Sequence, residues 1–191
     1  YLDDDNLTEV SLVPKGSEIL PGVSVPKVRI EEKFEKRTLA NGLILLMRVN
    51  TKVPAVSITA AFSGGLIAEN KDNNGISSLM AKMLLDGTKE RKESEIISAI
   101  ENRGGRISSF SGFNSFGLDL TALKDDTDPA LELIKDIITN SVFAQDELAK
   151  EKVLSVAAIK DEDDDIFEKG ALLIRRMLFK DHPYGMRDTG E

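Results

Sequence analysis

The chain has 191 residues, no Cys, a single His, and a net charge of −8 from 25 Lys+Arg against 33 Asp+Glu. With no thiolate and one imidazole it lacks the ligands of a self-contained zinc site, a Cys nucleophile and a disulfide framework, and any Ser-His-Asp arrangement has only His182 as base. The acidic balance repels phosphate backbones, which argues against nucleic acid, and no apolar run reaches the roughly 18 residues of a membrane span.

Residues 1–30 stand apart from the rest. Asp3-Asp4-Asp5-Asn6 is turn-forming, Leu7–Val13 alternates like a short strand, and 14–30 carries three Pro and little periodicity. This reads as a strand that belongs with something upstream, followed by a linker. From Lys33 the patterning is regular. Phe34–Leu39, Ala40-Asn41-Gly42 and Leu43–Val49 form a hairpin signal, because Asn-Gly tolerates the positive φ angles of tight turns. Pro54 separates a third strand, Val56–Phe62, and three consecutive strands imply an antiparallel sheet.

After Ser63-Gly64-Gly65, Asn74 is placed to cap a helix over Ile76–Leu85, with Ile76, Leu79, Met80, Met83 and Leu84 as its buried face and Gly87 as its stop. A second helix, Ser94–Arg103, ends at Gly104-Gly105, which suit a left-handed C-cap. Arg106–Ser111 and Ser115–Leu123 read as strands. Asp128-Pro129 supplies an N-cap and a first helical Pro for a third helix, where Leu131, Ile134, Ile137 and Ile138 fall at helical spacing. Asp146–Lys160 and Phe167–Phe179 are two further helices, interrupted by the acidic run 161–165. The sum is an α+β domain.

Few segments carry chemistry of their own. As a calcium loop the run Asp161-Glu162-Asp163-Asp164-Asp165 fails, because Ile166 stands where Gly is needed and Leu172 where the closing Glu is needed; a solvated helix junction is the alternative. His182 in Asp-His-Pro-Tyr-Gly reads as a turn histidine. Gly64-Gly65 and Gly104-Gly105 precede no phosphate-binding Lys-Ser/Thr and read as loop or cap residues.

The motifs gain meaning in order. The Asn-Gly hairpin, a strand ending in Ser-Gly-Gly, a helix ending in Leu-Leu-Asp-Gly-Thr, then Ile-Glu-Asn-Arg-Gly-Gly-Arg-Ile and finally Asp-His-Pro-Tyr-Gly resemble the inverted-zincin metallopeptidases. This is peptidase family M16, that of pitrilysin, insulin-degrading enzyme and the mitochondrial processing peptidase. The resemblance covers about residues 30–191 and implies a mostly antiparallel sheet with helices packed on one face.

In catalytic members the first helix carries H-x-x-E-H, two His binding zinc and the Glu activating water. The register set by Gly75 and Gly87-Thr88 puts Ser78, Ala81 and Lys82 at those positions. Glu151-Lys152-Val153-Leu154 matches the later helix that bears the last zinc ligand, which falls at Ala158, 158 − 82 = 76 residues on. Glu151 matches a supporting acid of active relatives and is retained. Lys82 is read as a helix-edge residue with its ammonium in water.

The resemblance therefore implies a non-catalytic segment holding no metal, with zinc in the other half of a parent protein. Residues 1–13 correspond to the strand closing a preceding homologous domain, 14–30 to the linker, and 31–191 to the first domain of a non-catalytic half, ending short of its final strand. The implied partners are the catalytic half of the same chain or a paired active subunit, and a peptide substrate, with neither nucleic acid nor membrane insertion. The alternative is a scaffold or assembly subunit of the same family. For location the resemblance leans to the bacterial periplasm, and nothing in the residues demonstrates export.

Overall fold

In a computed structural model of the chain, residues 34–191 are described, so the expected strand at 1–13 and linker at 14–30 lie outside the described residues. The chain divides into two compact units between Asn50 and Thr51. In the first, β1 (Glu35–Thr38) pairs antiparallel with β2 (Ile44–Met47). Gly42 takes φ +85° and its N–H donates to the carbonyl of Leu39 at 2.9 Å, as the Asn-Gly signal requires.

The second unit holds a three-stranded antiparallel sheet in the order β3–β5–β4, from β3 (Ala55–Ser63), β4 (Arg106–Ser111) and β5 (Ser115–Leu123). The sequence reading sets the third strand in series with the hairpin. Its observed ladder is instead with β5, from Ala55 opposite Leu123 to Ser63 opposite Ser115. The alternation of β5 shows why. Leu118, Leu120 and Ala122 point into the core while Asp119 and Thr121 face solvent, so the central position goes to the strand with the most apolar inward face.

Two helices cover that face, α2 (Glu93–Glu101) through Ile96 and Ile100, and α3 (Thr127–Asn140) through Ala130, Leu133, Ile134 and Ile137. Each fully buried Leu or Ile contributes about 1.5–3 kcal/mol, which makes this cluster the main source of stability. The opposite face is polar, and there Thr59 Oγ1 donates to Asp119 Oδ1 at 2.6 Å.

Several local expectations are corrected. Helix α1 (Ile76–Met83) is not capped by Asn74; Gly75, in the left-handed region at φ 90°, flanks it, and a side chain at Gly75 would run into the Thr189–Gly190 backbone. Of the expected apolar face, Met83 and Leu84 are buried and Leu79 and Met80 half-buried, but Ile76 is exposed, and Ser77 and Ala81 are also inside because α1 is wedged between the sheet and a later helix. Helix α3 starts at Thr127 with Asp126 before it, so Pro129 is its third residue and Asp128 lies in its first turn; Leu131 and Ile138 are exposed.

The acidic run differs from its reading as well. It does not interrupt the helices as a stretch: α4 (Gln145–Asp164) continues through it, and only Asp165 leaves helical geometry. Asp165 Oδ1 accepts from Phe167 N–H at 2.7 Å and caps α5 (Ile166–Phe179). Asp86-Gly87-Thr88 also proves structural. Thr88 Oγ1 donates to Asp136 Oδ2 on α3 at 2.9 Å, and Arg91 and Asn140 bond the same carboxylate. Burial pushes the Asp136 carboxyl up, but these three donors outweigh it and hold it below the usual carboxylate range.

Candidate functional site

The candidate positions lie on α1 and α4, and the ends of these helices are fixed by groups the sequence reading did not single out. Glu69, 4% exposed, caps α1: Oε2 accepts from Gly75 N–H at 2.7 Å and Oε1 from Ser77 N–H at 2.9 Å. A carboxylate there meets two unsatisfied amides and the positive end of the helix dipole. Asn74 Nδ2 donates both to Glu69 Oε2, at 3.0 Å, and to the carbonyl of Arg187, at 2.8 Å.

Arg187 is buried, and its guanidinium donates to Asp163 Oδ1 at 2.7 Å and pairs with Glu162 Oε2 at 3.3 Å. The Arg187 hydrogen bond holds the Asp163 carboxyl below its ordinary range. Two acids of the run read as a solvated junction thus bind a buried cation, and the C-terminal end of α4 is tied to the N-terminal end of α1. Replacing Glu69 by Ala strands three donors in a buried place, and we expect a loss of about 3 kcal/mol, or about 6–12 °C in Tm by circular dichroism. A loss under about 1 kcal/mol would show that water replaces the cap.

The other ends also meet. Lys150 near the start of α4 pairs at 3.6 Å with Glu93, the first residue of α2, and Glu147, Lys150 and Glu151 act on Asp86 just past the C-terminal end of α1, so α1 and α4 run antiparallel. Between the ends, Lys82 Nζ donates to Ser155 Oγ at 3.3 Å. The ammonium expected in water is half-buried and bonded across the seam.

That bond sets the register. One turn back along α1 from Lys82 is Ser78, and one turn on along α4 from Ser155 is Ala158; in antiparallel helices these steps of about 5.4 Å run the same way. Ser78, Lys82 and Ala158 therefore line one seam. In the other direction, Asp86 lies one turn past Lys82 and Glu151 one turn before Ser155. Ala81, 2% exposed, sits deeper on the flank of α1.

The donor set does not suit a metal. A hydroxyl and two methyl groups offer no strong ligand, and the ammonium of Lys82 repels a divalent ion. Among the described residues, no group of three or more His, Asp or Glu is placed to hold a metal ion. Glu151 is 9% exposed and forms no hydrogen bond or ion pair among the described residues. Burial, and after it Glu151, Glu93 and Glu147, push the Asp86 carboxyl up to about 6, with Lys150 opposing. His182 is separate from the seam; its Nδ1 accepts from Tyr184 N–H at 3.2 Å and caps the short Pro183–Gly185 turn.

Comparison with known proteins fits this architecture. The insulinase (peptidase M16) family model matches residues 45–181. A protein named a zinc protease from Rickettsia felis is 31% identical over 160 residues, 82% of this chain and 38% of its own length. A non-peptidase homolog from Helicobacter pylori is 26% identical over 134 residues, 70% of this chain and 31% of that protein. Among solved structures, an inactive domain of a peptidase M16 from Pseudomonas fluorescens superposes with a TM-score of 0.75 at 21% identity, over 82% of this chain and 38% of that one. The chain spans less than two-fifths of the length of these relatives. With more than half of its residues matched by the family model and the α+β architecture in common, the chain belongs to the insulinase (M16) peptidase family.

Proposed function

We propose that this chain is a catalytically silent domain of a zinc metallopeptidase, which walls and helps to close a chamber around peptide substrates while zinc and hydrolysis reside in a catalytic half or a paired active subunit. The reading is supported by the α1–α4 seam, where Ser78, Lys82, Ala158 and Ala81, the residues we assign by resemblance to the family's metal ligands and base, offer neither a strong ligand nor a base. The sheet supports the substrate side. β3 and β4 are the outer strands of the three, and α1 packs beside β4, so a peptide pairing with the edge of β4 would lie alongside this helix. The net charge of −8 favours basic peptides at such a wall.

A second reading, a scaffold or assembly subunit, is favoured by the relative named as a non-peptidase homolog. One experiment separates the two. Fluorescent basic peptides are titrated into the chain in the presence of zinc, and anisotropy, bound zinc and cleavage are followed together. We expect binding without cleavage and without stoichiometric zinc. Zinc-dependent turnover overturns both readings, and absence of binding leaves the assembly subunit.

A further inference from the structure

Helix α5 carries an apolar stripe that no described residue covers. Leu172 is its one buried side chain, and on the opposite side Ile166, Phe167, Leu173, Ile174, Met177 and Leu178 are 55–84% exposed. With Gly170 among them, these positions recur at steps of three and four, the spacing by which one helix meets another. Together they present on the order of 700 Å² of apolar surface. That exceeds the roughly 300–600 Å² of the largest patch on an ordinary monomer and approaches the roughly 800 Å² that each partner contributes to a stable interface.

The charges that bracket the stripe select its partner. Asp164, Asp165 and Glu168 lie around the N-terminal end of α5, and Arg175, Arg176 and Lys180 around its C-terminal end. A helix lying antiparallel on this face needs basic groups at its own C-terminal end and acidic groups at its start. That is the polarity of α5 itself, so the surface is self-complementary and suits a two-fold axis, with the helix dipoles opposed as well.

The side-chain sizes match in the same arrangement. With the axis at the level of Leu172, Gly170 of each copy lies opposite Ile174 of the other, Phe167 opposite Met177, and Ile166 opposite Leu178. Gly170 is the gap in the stripe. A Cβ built there meets no atom within 4 Å, which leaves room for an Ile174 side chain and for close approach of two helices. Asp164 then comes level with Lys180, and Glu168 with Arg176. The side chains of Asp164, Glu168 and Lys180 form no hydrogen bond or ion pair among the described residues. Lys169, the cation that comes level with Arg175, is drawn back to the Asp163 carbonyl at 3.2 Å.

We propose that two copies of this chain pair through α5, antiparallel about a two-fold axis at the level of Leu172, with Ile174 of each copy seated over Gly170 of the other. The pairing goes beyond the peptide-wall reading and is independent of it, because it uses neither the α1–α4 seam nor the edge of the sheet.

The test follows the full chain by sedimentation equilibrium from about 1 to 200 μM, where a dimer with a Kd of about 1–50 μM is expected. Gly170→Leu adds apolar surface but fills the gap, and is expected to weaken the dimer at least tenfold; Ile174→Ala, which empties it, should do the same. The two changes together exchange large for small across the axis and are expected to bring Kd back to within about threefold of the parent. A chain that stays monomeric throughout overturns the pairing and leaves the stripe to a helix of a longer polypeptide. A dimer that Gly170→Leu leaves unchanged or strengthens is not held by α5 and overturns it equally. Should a substituted chain misfold by circular dichroism, cross-linking decides. The sequence has no Cys, so Ile166→Cys with Leu178→Cys is expected to give disulfide-linked dimers under mild oxidation, whereas failure to link refutes the antiparallel register.

Discussion

Substituting Ser78→His, Lys82→His and Ala158→Glu together is expected to give this chain one tightly bound zinc ion. The prediction follows from the seam. Positions 78 and 82 are one turn apart on α1, and the Lys82–Ser155 bond sets 158 against them from α4. Two imidazoles and a carboxylate converging from two helices make a standard three-ligand zinc site with an open fourth position. Replacing Lys82 also removes the ammonium that would repel the ion. Ala81 is left unchanged in the first variant, because it is 2% exposed and a Glu there would cost folding energy before any metal is bound. Zinc stoichiometry from native mass spectrometry and competition with a chromophoric chelator give the readout, with affinity tighter than about 1 μM expected. Lys82→His alone should bind far more weakly. A folded triple variant that takes up no more zinc than the parent would mean that these positions do not share a site, and the assignment of the silent metal positions would fall with it.

The contrast between what was and was not legible in the sequence has a physical source. Elements set by local periodicity read correctly. The Asn41-Gly42 turn, the alternation of 115–123 and the apolar spacing of 94–103 each need no distant partner. The errors occur where a group separated in sequence decides the local state. Asn74 has the chemistry of a cap, yet Glu69 takes that role and Asn74 is drawn to the carbonyl of Arg187, 113 residues away. The run 161–165 is largely exposed, as a solvated junction should be, but its pairing with Arg187, 24 residues on from Asp163, was hidden. The order β3–β5–β4 depends on which inward face is most apolar across the whole sheet, not on chain order. At the seam, sequence could name Ser78, Ala81, Lys82 and Ala158 only through a family register. The contact that aligns the two helices joins residues 73 apart and involves Ser155, which no motif marks.

The largest loss of stability from a single small substitution is expected at Gly117→Ala. Gly117 lies in the central strand, paired with Ala61 on one side and Phe110 on the other. A Cβ there would overlap the carbonyl oxygen of Ala60 and lie 3.1 Å from Phe110 Cζ. The first obstacle is backbone held in a nine-pair ladder, so it cannot rotate away as a side chain would. A register slip offers no escape, since a shift of one residue would turn Leu118 and Leu120 to solvent. We expect a loss of about 3–5 kcal/mol, or about 6–20 °C in Tm, with faster amide exchange along β3 and β5. Gly170→Ala serves as the contrast. No atom lies within 4 Å of its added Cβ and it sits inside α5, so that change should gain about 0.5–1 kcal/mol. If Gly117→Ala instead costs less than about 1 kcal/mol, β3 moves away from β5 with little resistance. The sheet would then lack the rigidity that a strand-pairing surface for peptides needs, and the proposed chamber wall would have to rely on the helices alone.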